Sequence, residues 1–173
     1  LLIFGLTTSV SAMVGAYVGG LLDDRLGSMR TLKVAIIMSA LILVMLTSIT
    51  PDTVFFVISV SLEPVWSFPY FSTVAELTYL ATNQIFALFF VTGLSASRTL
   101  MAKLSPPEMA TQFFGLYGLS GSVTAFLAPL LVAVVTDVSQ SQRLGFASLV
   151  LLILLGGLML GWVREEQATR APD

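Results

Sequence analysis

The chain has no histidine, no cysteine and little charge. Only 10% of its 173 residues are charged, whereas soluble domains carry about a quarter. Without imidazole or thiol groups, the usual zinc, haem and iron–sulfur ligand sets, disulfides and nucleophilic mechanisms with a histidine base are excluded. Apolar residues make up 56% of the chain and the mean hydropathy is +0.94. We therefore expect an integral membrane protein that is not an enzyme and holds no metal or cofactor.

The few charges argue against a nucleic-acid partner. The net charge is -2, and the eight Lys and Arg residues are scattered between apolar stretches instead of lying along one face. The chain begins at Leu1 inside an apolar stretch, with no charged segment of the kind that opens a signal peptide. We expect it to be a piece of a longer protein.

Five long apolar stretches predict an all-α polytopic transmembrane bundle, because a helix needs roughly 20 residues to cross a bilayer. The predicted spans are about 1–22, 31–50, 76–100, 110–136 and 143–163. The connection 51–75 is apolar too, but Glu63, Pro64 and Pro69 interrupt it.

The distribution of cations supports five spans and predicts the orientation. With five spans, every Lys and Arg except Arg143 falls on one side, whereas six spans would divide them evenly. The positive-inside rule then places the cation-rich side, with the C-terminus, in the cytoplasm. The connection 51–75 becomes an external interfacial loop with a short strand at Val54 to Leu62. The aromatic residues predicted at the outer membrane interface are Trp66, Phe68, Tyr70 and Phe71.

Polar residues concentrate in the first, third and fourth spans, which predicts that these helices are inner and the second and fifth outer. Asn83 and Gln84 are the strongest candidates for contact with a substrate. Because adjacent positions differ by about 100° around a helix, only one can face a cavity squarely, and we favour Asn83. The alternative is an interhelical hydrogen bond. Weaker candidates of the same kind are Tyr79, Ser11 and Ser122.

Glu76 follows Thr73 at capping-box spacing, which favours a helix cap over an ion-coupling role. No acidic residue lies near the centre of a predicted span, so a proton-coupling carboxylate is expected elsewhere in a longer chain. Asp137 and Arg143 flank a short turn and are expected to form a surface ion pair.

The segment 23–30 is predicted to be a cytoplasmic loop. Asp23 and Asp24 follow the negative end of a helix dipole, so we expect a cation or the N-terminus of another helix to dock on them. Gly27 would make the tight turn, while Arg25 and Arg30 fix the orientation. The alternative is a solvated anchoring loop. Arg98, at the cytoplasmic end of the third span, is either an interfacial anchor or a gate residue that contacts Asp23 or Asp24.

The pattern Gly20, Asp24-Arg25, Gly27 and Arg30 resembles the cytoplasmic signature loop of the major facilitator superfamily, with Ser28 and Met29 where basic residues are common. Further segments resemble the bacterial "unknown major facilitator" family, which is related to fungal vacuole effluxers linked to autophagy. These segments are 97–107, 112–117 and 136–145. The resemblance implies that the five spans are helices eight to twelve of a twelve-helix transporter. The missing partner would be the N-terminal half with the seventh helix.

Two features of the fourth span call for interpretation. Pro129 removes a backbone hydrogen bond and predicts a kink near Ala125, as a static bend or a hinge. Gly118-Leu119-Ser120-Gly121 matches the Gly-x-Ser-Gly motif of intramembrane rhomboid proteases. Those enzymes pair the serine with a histidine, so we reject this interpretation here.

These observations favour one function over another. In the favoured interpretation, the chain is part of a secondary active transporter that moves small solutes across a bilayer by alternating access. The resemblance suggests amino acids or related metabolites as solutes, and the bacterial cytoplasmic membrane as the location. The alternative is a non-transporting membrane module or degenerate fragment that associates with other membrane helices.

Overall fold

The computed structural model describes residues 2–61, 63–67 and 70–163, and this part of the chain forms five long helices. They are α1 (Leu2–Leu26), α2 (Ser28–Ser48), α3 (Val74–Leu104), α4 (Ala110–Ser139) and α5 (Gln142–Leu160). Each is long and apolar enough to cross a membrane. The all-α polytopic bundle predicted from the sequence is confirmed.

A single residue connects α1 to α2. Gly27 has φ 85 and ψ 153, a conformation that residues with a Cβ rarely adopt, and its N–H bonds to the carbonyl of Asp23 at 2.9 Å. Because the chain reverses at this one glycine, α1 continues to Leu26. The predicted loop 23–30 is therefore wrong: Asp23, Asp24 and Arg25 lie in the last turns of α1.

The connection between α2 and α3 contains a small hairpin. Strands β1 (Thr53–Val54) and β2 (Ile58–Ser59) pair antiparallel, with Val54 opposite Ile58. The sequence predicted one strand over Val54 to Leu62, but the chain turns back at Phe55 and Phe56, which both have positive φ. Leu62 and Phe68 lie outside the described residues. Trp66 and Tyr70 are exposed and Phe71 is half-buried, and their place at the outer membrane interface stays a prediction.

The predicted capping box at the start of α3 is confirmed. The Thr73 hydroxyl accepts from the N–H of Glu76 at 3.3 Å, and the Glu76 carboxylate accepts from the N–H groups of Ser72 and Thr73. The carboxylate therefore satisfies backbone donors that a helix start leaves unpaired.

Short turns join the last three helices. A 3₁₀ turn over Pro107–Met109 leads from α3 into α4, with proline where a helix start tolerates the missing N–H. Between α4 and α5, Gln140 adopts the left-handed conformation with φ 52, which ends α4 and redirects the chain. Helix α4 is continuous through Pro129. The kink near Ala125 stays a prediction.

Helix α2 is central to the described bundle. It packs against α1, α3 and α5, and 44% of its most apolar stretch is buried, compared with 11% for α1 and none for α4. Helix α4 packs mainly on α5, where Gly145 lies against Thr136 and Val132. Helix α5, predicted to be outer, is buried to the same 11% as α1, and α2, also predicted to be outer, is the most buried helix. Burial within this chain therefore does not follow the predicted division into inner and outer helices.

Helices α1 and α3 approach each other closely because glycines line the contact. A Cβ at Gly15 would clash with the backbone of Leu88, and one at Gly19 would lie 3.1 Å from the Cα of Thr92. The buried hydroxyl of Thr92 donates to the carbonyl of Gly15 at 2.8 Å. Small residues allow such close packing between membrane helices, where interhelical hydrogen bonds also form.

We predict that Gly15→Ala destabilises the bundle by about 1–3 kcal/mol, because the new methyl group meets backbone that cannot move away freely. Gly5→Ala is the matched control, since nothing lies within 4 Å of a Cβ at that position of the same helix. Unfolding of the intact protein in detergent micelles would measure both. Equal stability of the two variants would contradict the close contact.

Candidate functional site

Five polar side chains meet between α1 and α3 and form what we call the polar seam. Its members are Thr7, Thr8, Ser11, Asn83 and Gln84. The Gln84 amide donates to Thr7 Oγ1 at 3.1 Å and accepts from Ser11 Oγ at 2.8 Å. The Asn83 amide donates to Thr8 Oγ1 at 3.2 Å. All of these groups are partly buried.

The polar seam bears on the prediction that only one of Asn83 and Gln84 faces a cavity squarely. Asn83 and Gln84 both reach α1, because the two adjacent positions of α3 lie on either side of the line of contact. The contacts are interhelical hydrogen bonds, the alternative that the sequence left open. They occupy only part of the capacity of each amide, since a carboxamide has two donor hydrogens and an acceptor oxygen. Direct contact with a substrate stays a prediction for both residues.

Asn83 also lines a cavity of about 280 Å³ between α2, α3 and α5. Tyr79 lies one turn before Asn83 on the same wall, and Arg143 lies at the start of α5. Apolar residues such as Phe86 and Phe146 complete the lining. Polar side chains, which also include Thr47 and Gln142, are thus set in a mainly apolar wall, an arrangement that suits a small polar solute.

The expected ion pair between Asp137 and Arg143 is not formed. The Arg143 guanidinium donates to the carbonyl of Ile49 at 3.3 Å, just beyond the end of α2. A cation at that place interacts favourably with the negative end of the helix dipole. The backbone carbonyl of Asp137 accepts from the Gln140 side-chain amide at 2.6 Å.

A second cluster lies at the other end of the bundle. Asp23 is buried, with 9% of its side chain exposed, and its Oδ2 lies 3.3 Å from the Nζ of Lys103 on α3. The same ammonium group donates to Ser28 Oγ at 2.7 Å. Within the described segments, Asp23 Oδ1 and Thr31 Oγ1 are buried with no hydrogen-bond partner. We call Asp23, Ser28, Thr31 and Lys103 the junction cluster.

The junction cluster explains why an acidic residue is tolerated near the C-terminus of α1. The sequence predicted that a cation docks here and named Arg98 for the gate contact. The structure places Lys103 at Asp23, while Arg98 is exposed. Lys103 continues the face of α3 that ends in the buried residues Ala96 and Leu100. This face is defined by packing, so the sequence did not distinguish Lys103 from Arg98 as the partner of Asp23.

The remaining signature residues lie on the surface. Gly20, Asp24, Arg25 and Arg30 are exposed and Gly27 forms the turn, so this end of α1 and α2 presents both signs of charge outward. Within the described residues, no three acidic side chains come together as metal ligands would.

The hydroxyl groups of α4 bond to their own helix. Ser122 donates to the carbonyl of Gly118 at 3.0 Å and Ser120 to that of Tyr117 at 2.8 Å. All three residues of the run Ser120, Ser122 and Thr124 are exposed. Such bonds lower the cost of a hydroxyl in a membrane and leave its oxygen able to accept from another molecule.

Comparisons with known proteins agree with a transporter. A family model described as "Vacuole effluxer Atg22 like" matches residues 1–172. The "Uncharacterized MFS-type transporter YxiO" of Bacillus subtilis (strain 168) is 36% identical over 73 residues, 42% of this chain and 17% of the relative. "Autophagy-related protein 22" of Cryptococcus neoformans is 32% identical over 85 residues, 49% of this chain and 16% of the relative.

The matched segments thus cover less than a fifth of each of these two relatives. No solved structure matches the chain.

We predict that Lys103→Met destabilises the protein by about 1–3 kcal/mol, because it leaves a buried carboxylate without its charged partner. Arg98→Met is the matched control on the same helix. The double variant Asp23→Asn with Lys103→Met should recover most of the loss. Unfolding of the intact protein in micelles measures all of these variants, and equal effects of Lys103→Met and Arg98→Met would refute the pairing.

Proposed function

The chain belongs to the vacuole effluxer Atg22-like family, and from this premise we propose that it forms part of a secondary active transporter that moves small solutes by alternating access. The family places it among MFS-type transporters, and its five apolar helices make it an integral multi-pass membrane protein. In transporters of this kind, solute binds near the middle of the membrane between two helix bundles. The proposal therefore needs a partner bundle, which would be the N-terminal half of a longer chain.

The observation that carries this proposal is the polar surface of α4, a helix that packs mainly on α5 and has no buried residue within the described part of the chain. None of the apolar stretch of α4 is buried, yet the helix carries Ser120, Ser122 and Thr124. A helix surrounded by lipid gains nothing from hydroxyl groups, whereas one that lines a water-filled cavity uses them to bind solute. Helix α1 is polar too, but its hydroxyls Thr7, Thr8 and Ser11 are partly buried against α3 in the polar seam.

The proposed solutes are small polar molecules such as amino acids or related metabolites. The candidate groups are neutral: the amides of Asn83 and Gln84, the phenol of Tyr79, and the hydroxyls of Ser11 and Ser122. Such groups bind polar solutes through hydrogen bonds without the cost of burying a fixed charge. A coupling carboxylate near the middle of the membrane would be supplied from outside this chain.

We assign the exposed signature residues to contact with the partner bundle. Asp24 and Arg25 lie in the last turn of α1 with their side chains exposed, and Arg30 and Arg98 extend this charged surface. The sequence also suggested Asp23 for this contact, but we leave it out because it already pairs with Lys103 within this chain. Pro129 is the hinge candidate of α4. The proposed orientation has these charges and the C-terminus on the cytoplasmic side of a bacterial cytoplasmic membrane.

We predict that Asn83→Leu in the intact protein lowers uptake of a radiolabelled amino-acid mixture into proteoliposomes at least tenfold. The physical reason is the loss of a donor and an acceptor that the solute would use. Thr8→Val is the matched control, because it removes the hydrogen-bond partner of Asn83 on α1 and leaves the amide in place. The control should retain uptake within twofold of the parent.

Two outcomes would contradict this prediction. If both variants lose uptake equally, the role of Asn83 is to hold α1 against α3. If uptake by the parent protein is unaffected by changes at every inner polar residue, the chain is a non-transporting membrane module.

We predict that Asp24→Asn shifts the balance between the two access states, because it removes a charge that contacts the partner bundle in only one of them. Distances between spin labels on the two bundles of the intact protein measure the populations. Asp52→Asn, an exposed acidic residue on the opposite side of the membrane, is the control. Unchanged populations in Asp24→Asn would count against the gate.

A further inference from the structure

A groove runs between α2 and α5 at the end of the bundle where α2 begins and α5 ends. Its cavity volume is about 440 Å³, within the range of ligand pockets. We call it the α2–α5 groove. It is lined by Lys33, Ile36, Ile37, Leu154, Gly157, Leu158 and Leu160.

The walls of the groove are apolar and open to the surroundings. Ile37 is 57% exposed and Leu158 is 70% exposed. Gly157 allows α5 to approach α2, since a Cβ there would lie 3.0 Å from Ile36 Cγ2. Lys33 is the one residue of the lining that can form a hydrogen bond through its side chain. Such walls suit an alkyl chain, not a polar solute.

Lys33 is a cation with no carboxylate near it in sequence. Neither α2 nor α5 contains Asp or Glu, and within the described residues Lys33 forms no ion pair. It lies five residues into α2, about 7.5 Å from the helix start. Arg30 is one turn earlier, close to the same face and also exposed. A lysine at this depth extends its ammonium toward the level of the lipid phosphates.

We propose that the α2–α5 groove binds one anionic phospholipid of the adjacent leaflet, with its phosphate at Lys33 and an acyl chain between the two helices. Charge complementarity selects an anionic headgroup, and basic pockets between membrane helices on the cytoplasmic side bind such headgroups. The partner bundle is a poorer occupant, because the groove lacks the hydroxyls and amides that α1 and α4 present. Lipid binding in this groove requires that the chain is embedded in a membrane, whether or not it transports a solute.

Native mass spectrometry of the intact protein tests the proposal after release from nanodiscs of equal phosphatidylglycerol and phosphatidylcholine. The parent should retain phosphatidylglycerol preferentially. Lys33→Gln should lower the ratio of retained phosphatidylglycerol to phosphatidylcholine about fivefold, the scale expected for one basic residue at an anionic surface. Arg98→Gln, an exposed cation on the same side but outside the groove, should leave this ratio unchanged.

A second pair of variants tests the groove itself. Leu158→Trp fills the exposed wall and should lower retention of both lipids, whereas Leu155→Trp changes an exposed leucine of α5 outside the groove and should not. Added glycerol phosphate should not displace the lipid, because the acyl chain contributes to binding.

The proposal is overturned by equal retention of the two lipids in the parent or by equal effects of Lys33→Gln and Arg98→Gln. It is also overturned if Leu158→Trp has no effect, or if glycerol phosphate displaces the bound molecule.

Discussion

The close approach of α1 to α3 at Gly15 is the contact on which the other features depend. Water provides no drive to join two helices inside a bilayer, so backbone contact and interhelical hydrogen bonds must do so. The bond from Thr92 to the Gly15 carbonyl fixes the register of the pair. That register brings the polar seam together toward one end of the helices and places Lys103 opposite Asp23 at the other. A shift of one helical turn, about 5.4 Å, would separate both sets.

The exposed surfaces of the bundle differ in polarity. Helix α4 exposes hydroxyl groups that donate to carbonyls of its own backbone, alongside apolar residues such as Phe126. Helices α2 and α5 expose leucine and isoleucine, with Lys33 at the border, as a surface next to lipid requires. We propose that the surface of α4 faces solute and the partner bundle, and that the surface formed by α2 and α5 faces lipid.

Features set by local chemistry could be predicted from the sequence, while features set by packing could not. Span length and hydropathy indicated five helices, the spacing of Thr73 and Glu76 indicated the cap, and Gly27 indicated the turn. The partner of Asp23 depends on how α1 and α3 pack, so several cytoplasmic cations were equally available to it. The same holds for Arg143, which meets a helix end 94 residues away instead of the nearby Asp137.

We propose that these helices belong to a longer transporter and complete a solute cavity only with a partner bundle. The intact mass of the native polypeptide in its own membrane tests this claim most directly. We predict a mass well above twice the 18.5 kDa of this chain, because the proposed cavity needs a second bundle of at least similar size. A mass near 18.5 kDa would contradict the account, since five helices with an uncovered α4 would then have to build a cavity from copies of themselves.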